Sequence, residues 1–270
     1  MTSYVVNCSI LFTELPLSQR PAAAREAGFD AVEFWWPFDR TVPTNQEVAD
    51  FVQVVRDAGV RLVGLNLPAG DMPGGDRGLV SWPGRAEEFR AGVDCAVSIG
   101  EQLGVRVFNA LYGNRIDGAD PAEQDALAAD NLTFAAGAAA RIGAAVLVEP
   151  ISAAPRYPLL TAADALAVVR RVPADNVRLL ADLYHLSVNG DDVDAVIARH
   201  ADEIGHVQVA DAPGRHQPGS GTLPIDRWLA ALDEAGYAGW VGLEYVPEGP
   251  SAGSLDWLPR TARAVKETRA

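Results

Sequence analysis

The sequence predicts an α/β fold, a (β/α)8 TIM barrel built as a single domain over residues 1–270. Three observations carry this. Eight short β-rich runs alternate with amphipathic helical stretches, the pattern of a parallel sheet. The length of 270 residues suits a closed barrel, which needs roughly 250. Glycine stands at the end of helical stretches just before the next run, at Gly28, Gly59, Gly104, Gly143, Gly205 and Gly236, where a left-handed C-cap is expected.

The runs, in order, are Tyr4–Ser9, Ala31–Trp36, Arg61–Asn66, Arg106–Leu111, Ala145–Glu149, Val177–Asp182, His206–Ala210 and Trp240–Tyr245. Between them lie helical segments such as QEVADFVQVVRDAG, EEFRAGVDCAVSIGEQLG, DALAADNLTFAAGAAARIG, AADALAVVRRV, DVDAVIARHADEIG and PIDRWLAALDEAG. No GxGxxG follows the first run and no P-loop is present, so nucleotide-binding sheets are set aside. Two long connections, after the third and seventh runs, leave strand C-termini, where barrel active sites are built.

Composition narrows the function. The formal charge of −14 repels phosphate backbones, so no nucleic acid is expected as a partner. Lys266 is the only lysine and lies in the C-terminal tail, which argues against Schiff-base chemistry. Cys8 and Cys95 lack CxxC spacing and read as buried thiols of a reducing compartment. No basic leader and no apolar run of roughly 18 residues is seen, so a cytoplasmic protein without a membrane partner is expected. A small-molecule substrate remains; a homo-oligomer is left open.

A buried parallel strand should be apolar. Four consecutive runs instead carry a polar ligand type near their ends: Glu149, Asp182, Gln208 and Glu244, spaced 33, 26 and 36 residues apart, about one βα unit each. One such residue alone reads equally well as a cap for backbone amides. Four together point to a shared cation, because three carboxylates cannot cluster in a low-dielectric mouth unneutralised. An all-oxygen set suits one divalent metal, Mg²⁺ or Mn²⁺. Glu149 and Glu244 can also move a proton between neighbouring carbons of a hydroxy-carbonyl compound as an acid/base pair.

Around this set, His185 follows Asp182 in a D-x-x-H arrangement and is expected to contact substrate. His206 is expected one layer deeper, as a hydrogen-bonded core histidine, with His200 structural and His216 solvated. Arg215, in the seventh connection, is the candidate clamp for a substrate carboxylate. Arg77 and Arg85, in the third, are further arginines, and Arg85 joins the substrate-binding candidates. Asn66 and Asn109, at the ends of the third and fourth runs, could bind substrate hydroxyls or cap loops.

The stretches VEFWWPFD, NLPAGDMPGGDRGL, PGRAEEFRAGV, LVEPIS, DLYHLSVNGDD, IGHVQVADAPGRHQPGSGTLPID and YAGWVGLEYVP resemble the hydroxypyruvate isomerase family, within the xylose-isomerase-like barrels, over nearly the whole chain. The resemblance implies a metal held by Glu149, Asp182, Gln208 and Glu244, with Glu149 and Glu244 as acid and base. It also implies conversion of hydroxypyruvate to tartronate semialdehyde. Two enzyme alternatives share the layout: a 2-oxo-tetronate isomerase, and a ketose 3-epimerase, which usually has histidine where this chain has Gln208. A non-catalytic small-molecule-binding barrel ranks lower, because both glutamates are present.

Overall fold

Eight parallel strands close on themselves in chain order in the structure, a computed structural model that describes residues 2–264. The strands are β1 (Ser3–Asn7), β2 (Ala31–Phe34), β3 (Arg61–Asn66), β4 (Val107–Asn109), β5 (Ala145–Val148), β6 (Val177–Asp182), β7 (Ile204–Val209) and β8 (Trp240–Leu243). β8 pairs with β1, with Val6 opposite Leu243, so no edge is left open. The barrel expected from the alternation is therefore the observed fold. Lys266 lies outside the described residues.

The outer helices are α1 (Arg20–Glu26), α2 (Asn45–Asp57), α3 (Ala86–Leu103), α4 (Pro121–Ala140), α5 (Ala162–Val169), α6 (Leu183–Val188), α7 (Val193–His200), α8 (Ile225–Glu234) and α9 (Arg260–Arg263). Local signals set their ends. Thr44 and Glu47 form a reciprocal capping box at the start of α2, and Gly104 takes φ 77° to close α3. Gly205 departs from its expected role: it lies inside β7, not at a helix end. A Cβ there would come within 2.7 Å of Leu147 and 2.9 Å of Arg178, so close packing explains this glycine. The short helices not foreseen are α6, which starts directly at the end of β6, and α9.

Interior side chains form layers, as in other barrels of this kind. Low in the barrel sit the apolar groups Val5, Ala31 and Val63, and Val107, Leu147 and Leu180. Toward the mouth the interior turns polar, with Asn7, Glu33 and Gln208 buried, and His206, opposite Leu180, buried against Glu33. Two register shifts bring this layer together. One, in the β2–β3 pairing, puts Glu33 opposite Gly64; the other, in β6–β7, puts Asp182 opposite Gln208. Among the described residues, no helix is long and apolar enough to cross a membrane. Cys8 is buried and Cys95 is half-buried, both free thiols.

Candidate active site

The C-terminal mouth opens into a cavity of about 1100 Å³ lined by Glu149, Glu244, His185 and Arg215, with Trp35, Phe38 and Tyr184 on its walls. Glu149 and Glu244 each lie one residue beyond their strand and are buried. The structure thus brings both predicted glutamates to one chamber.

Glu149 is sparsely held. Asn109 donates its amide N–H to Glu149 Oε2 at 2.6 Å. Tyr157 donates its hydroxyl to the Glu149 carbonyl at 2.9 Å, which fixes the chain at the end of β5. Burial, then the charges of Glu244 and Asp182, push the Glu149 carboxyl well above the ordinary carboxylate range, against the pull of Asn109 and Arg215.

Glu244 is surrounded by donors. Its Oε2 accepts from Asn7 Nδ2 at 2.7 Å and Gln208 Nε2 at 2.6 Å, and its Oε1 from Arg215 Nη2 at 2.7 Å. Burial still raises its pKa to about 8; Arg215 pulls it down, while Glu33 and Asp182 add to the rise.

Asp182 serves two purposes, one on each oxygen. Oδ1 caps α6, accepting from the backbone N–H groups of Tyr184 at 2.9 Å and His185 at 3.3 Å. Oδ2 is fully buried and has no hydrogen-bond partner. It lies 3.5 Å from both His185 Nε2 and Arg215 Nη2. The Arg215 guanidinium therefore reaches both Asp182 and Glu244. Its backbone sits at φ 58°, a left-handed conformation costly for a residue with a Cβ. Asp211 anchors this connection by accepting from the N–H groups of Gly219, Gly221 and Leu223, each at 2.9 Å.

Glu149, Asp182 and His185 each offer a ligand atom, all within 4.8 Å of one another. The histidine's hydrogen bonds favour a different role for it. Ser152 donates its backbone N–H to His185 Nδ1 at 3.1 Å, so Nδ1 accepts and the ring proton sits on Nε2. That places an N–H donor, not a free lone pair, on the side facing Asp182. Burial above all, and the Arg215 charge, lower the His185 pKa to about 4 despite Asp182, so the ring is neutral near pH 7. Asp182 Oδ2, on a side chain grouped with Glu149, and Gln208 Oε1 are buried acceptors without partners, oxygen donors of the type that fits a hard divalent ion such as Mg²⁺ or Mn²⁺.

The remaining candidates divide by depth. Asn109 touches Glu149, while Asn66, paired in register with Asn109, lines the cavity. Arg85 stays at the rim, its guanidinium bound to Glu88 at 2.7 Å through both Nε and Nη2 and stacked on Trp82 at 4.7 Å. Arg77 donates to the carbonyls of Met72 and Asp76. His206 is a core histidine as expected, 2.7 Å from Glu33 Oε2; His200 pairs with Glu203, and His216 lies against the Val246 carbonyl.

Sequence reasoning missed Glu33 and Asn7. The signal was there for Glu33: a carboxylate at the centre of AVEF, an otherwise apolar strand, breaks the rule that exposed the other four. Asn7 ends β1 directly beside it, its partner in register.

A model of the xylose isomerase-like TIM barrel family matches residues 21–261. The chain belongs to that family. A protein of Streptomyces coelicolor, provisionally named hydroxypyruvate isomerase, is 54% identical over 270 residues, covering 97% of each chain. Hydroxypyruvate isomerase of Escherichia coli is 32% identical over 260 residues, covering 96% of this chain and 98% of its own. A crystal structure titled AP endonuclease, family 2, from Brucella melitensis superposes with a TM-score of 0.87 at 33% identity, covering 95% of this chain and 98% of that one. Within the xylose isomerase-like barrels this chain therefore groups with the hydroxypyruvate isomerases and is an isomerase.

Proposed function

We propose that the protein interconverts hydroxypyruvate and tartronate semialdehyde, or a closely related short 2-oxo acid, with one divalent ion, Mg²⁺ or Mn²⁺. The observation that carries this reading is the pair of buried glutamates, Glu149 and Glu244, lining one mouth, where two carboxyl groups can take and return a substrate proton. Glu149, Asp182, Gln208 and Glu244 are the residues that would hold the ion. When bound, it supplies Lewis-acid stabilisation of negative charge on the substrate oxygens.

The protein's own groups account for the rest. One glutamate removes a proton from C3 of hydroxypyruvate, leaving an enediolate. The C3 hydroxyl proton is transferred to the C2 oxygen, and a proton is returned to C2. The net change moves the carbonyl from C2 to C3 with no redox partner. Arg215 is the clamp for the substrate carboxylate, and the neutral His185 Nε2–H is a donor to a substrate oxygen. The cavity admits three- and four-carbon acids, so a 2-oxo-tetronate isomerase is the neighbouring alternative. A ketose 3-epimerase would return the proton to the carbon it left and keep the carbonyl in place.

The Brucella protein is named an endonuclease. Binding a phosphate backbone needs unpaired basic groups. This chain carries a formal charge of −14, and Arg85 at the rim is already matched with Glu88.

The test is to incubate the purified protein with hydroxypyruvate and with four-carbon 2-oxo acids in deuterated water and follow products by NMR, with and without Mg²⁺ or Mn²⁺. Carbonyl transfer with deuterium at C2, abolished by a chelator, is expected. Full activity in demetallated protein counts against the cation, and deuterium exchange without carbonyl movement counts against the isomerase.

A further inference from the structure

Beneath the glutamates lies a closed square of hydrogen bonds. Asn7 Nδ2 donates to Glu33 Oε1 at 3.2 Å and to Glu244 Oε2 at 2.7 Å. Gln208 Nε2 donates to the same two oxygens, at 2.9 Å and 2.6 Å. Two carboxylates therefore share two amides, and the second oxygen of Glu33 is taken by His206 Nε2 at 2.7 Å. A carboxylate only accepts, so an amide facing two of them must present N–H to both. The carbonyl oxygen of Gln208 is thereby turned away from them, and it is buried with no partner of its own.

The barrel makes room for this carboxylate. A Cβ at Gly242 would lie 2.6 Å from Glu33 Oε1 and 2.9 Å from Gln208 Cγ; one at Gly64 would lie 3.2 Å from Glu33 Oε2. Neither glycine has a positive φ, so backbone conformation does not require either of them. Glycine weakens a strand interior, and here β3 and β8 both accept it where the Glu33 side chain enters.

We propose that Glu33 is a positioning residue: by taking the N–H groups of Gln208 and Asn7, it fixes the Gln208 amide with its carbonyl oxygen free for a cation. This rests on the reading of the mouth as a divalent-metal site. Glu33 touches neither substrate nor cation. It acts through Gln208, and outer partners of this kind are worth about 10- to 100-fold in metal affinity.

The experiment is a Mn²⁺ titration followed by electron paramagnetic resonance of the free ion, with thermal melting of each protein. Glu33→Met, unbranched and of similar length, should weaken Mn²⁺ binding about 10- to 100-fold. Glu33→Gln should stay near the wild type, because its oxygen can still take both amides while His206 accepts its N–H as the other tautomer. Gly64→Ala leaves the carboxylate in the chain but sets a Cβ 3.2 Å from both Glu33 Cβ and Glu33 Oε2, with no Gln208 atom among its nearest neighbours, and should weaken binding in the same direction. This variant decides the matter if Glu33→Met does not fold. Wild-type affinity in folded Glu33→Met or in Gly64→Ala overturns the proposal, as does equal loss in Glu33→Gln and Glu33→Met. A wild-type protein that takes up no Mn²⁺ overturns the metal reading and this proposal with it. Wild-type binding with unaltered variants overturns this proposal alone.

Discussion

The two halves of the mouth treat the same side chain in opposite ways. On the β5 side, Glu149 has one side-chain donor, Asn109. On the β8 side, Glu244 has Asn7, Gln208 and Arg215. Both carboxyls are buried and both hold protons more tightly than a free glutamate, but for different balances of causes. At Glu149 the Asn109 hydrogen bond, followed by the Arg215 charge, opposes desolvation and the neighbouring carboxylates without offsetting them. At Glu244 a guanidinium opposes them, and the rise stops at about 8. The lesson is that equivalent positions at two strand ends become chemically distinct groups through the donors that adjacent strands supply.

This contrast can be broken by substitution. Glu149→Gln and Glu244→Gln should each cut turnover by roughly 10²-fold or more, the scale of a general acid–base contribution. Their stabilities should separate. In Glu149→Gln the new amide can still accept from Asn109 and can no longer take on the disfavoured buried charge, so the melting temperature should match or exceed that of the metal-free wild type. In Glu244→Gln the new amide turns its nitrogen toward donors, which should cost about 1–3 kcal/mol. Equal melting temperatures would erase the proposed asymmetry.

Arg215→Ala should raise KM for an acidic substrate roughly 10- to 100-fold, the worth of a charge-assisted hydrogen bond, with a smaller change in kcat. An unchanged KM would assign the carboxylate to another group. A smaller effect concerns pH. The His185 pKa falls from 6.5 to about 4 on folding. Between those values the unfolded chain binds a proton that the folded chain does not, so stability falls as pH is lowered through that window and is fully present above it. Chemical denaturation of metal-free His185→Asn from pH 7 to 4 should show a shallower loss than the wild type. Arg85→Ala, at the rim and bound to Glu88, should leave KM nearly unchanged and cost about 1 kcal/mol or less. A large KM effect there would move substrate binding outward, into the third connection.

The strand-end residues were legible because burial in a parallel barrel makes polar types conspicuous. Glu149, Asp182, Gln208 and Glu244 stand out one βα unit apart, and the structure gathers their surroundings at one mouth. Less legible was what each oxygen does. Spacing offered Asp182 as cap or ligand, and the fold uses one oxygen as a cap and leaves the other unpartnered. Arg215 was visible as an arginine in a long connection, but its reach to both Glu244 and Asp182 depends on a loop anchored by Asp211 and a left-handed backbone at Arg215. Arg85, the further substrate-binding candidate in the third connection, is held at the rim by a neighbour three residues away.

Periodicity, glycine placement and strand-end polarity by themselves determined a closed parallel barrel and the residues gathered at its mouth, because those features follow from local burial and chain geometry. Only the tertiary structure decided that Glu33 on β2 reaches Gln208 on β7 across the barrel interior. Side chains 175 positions apart in the chain meet there. That contact depends on two register shifts and on the space left by glycines on other strands, which no local stretch of sequence encodes.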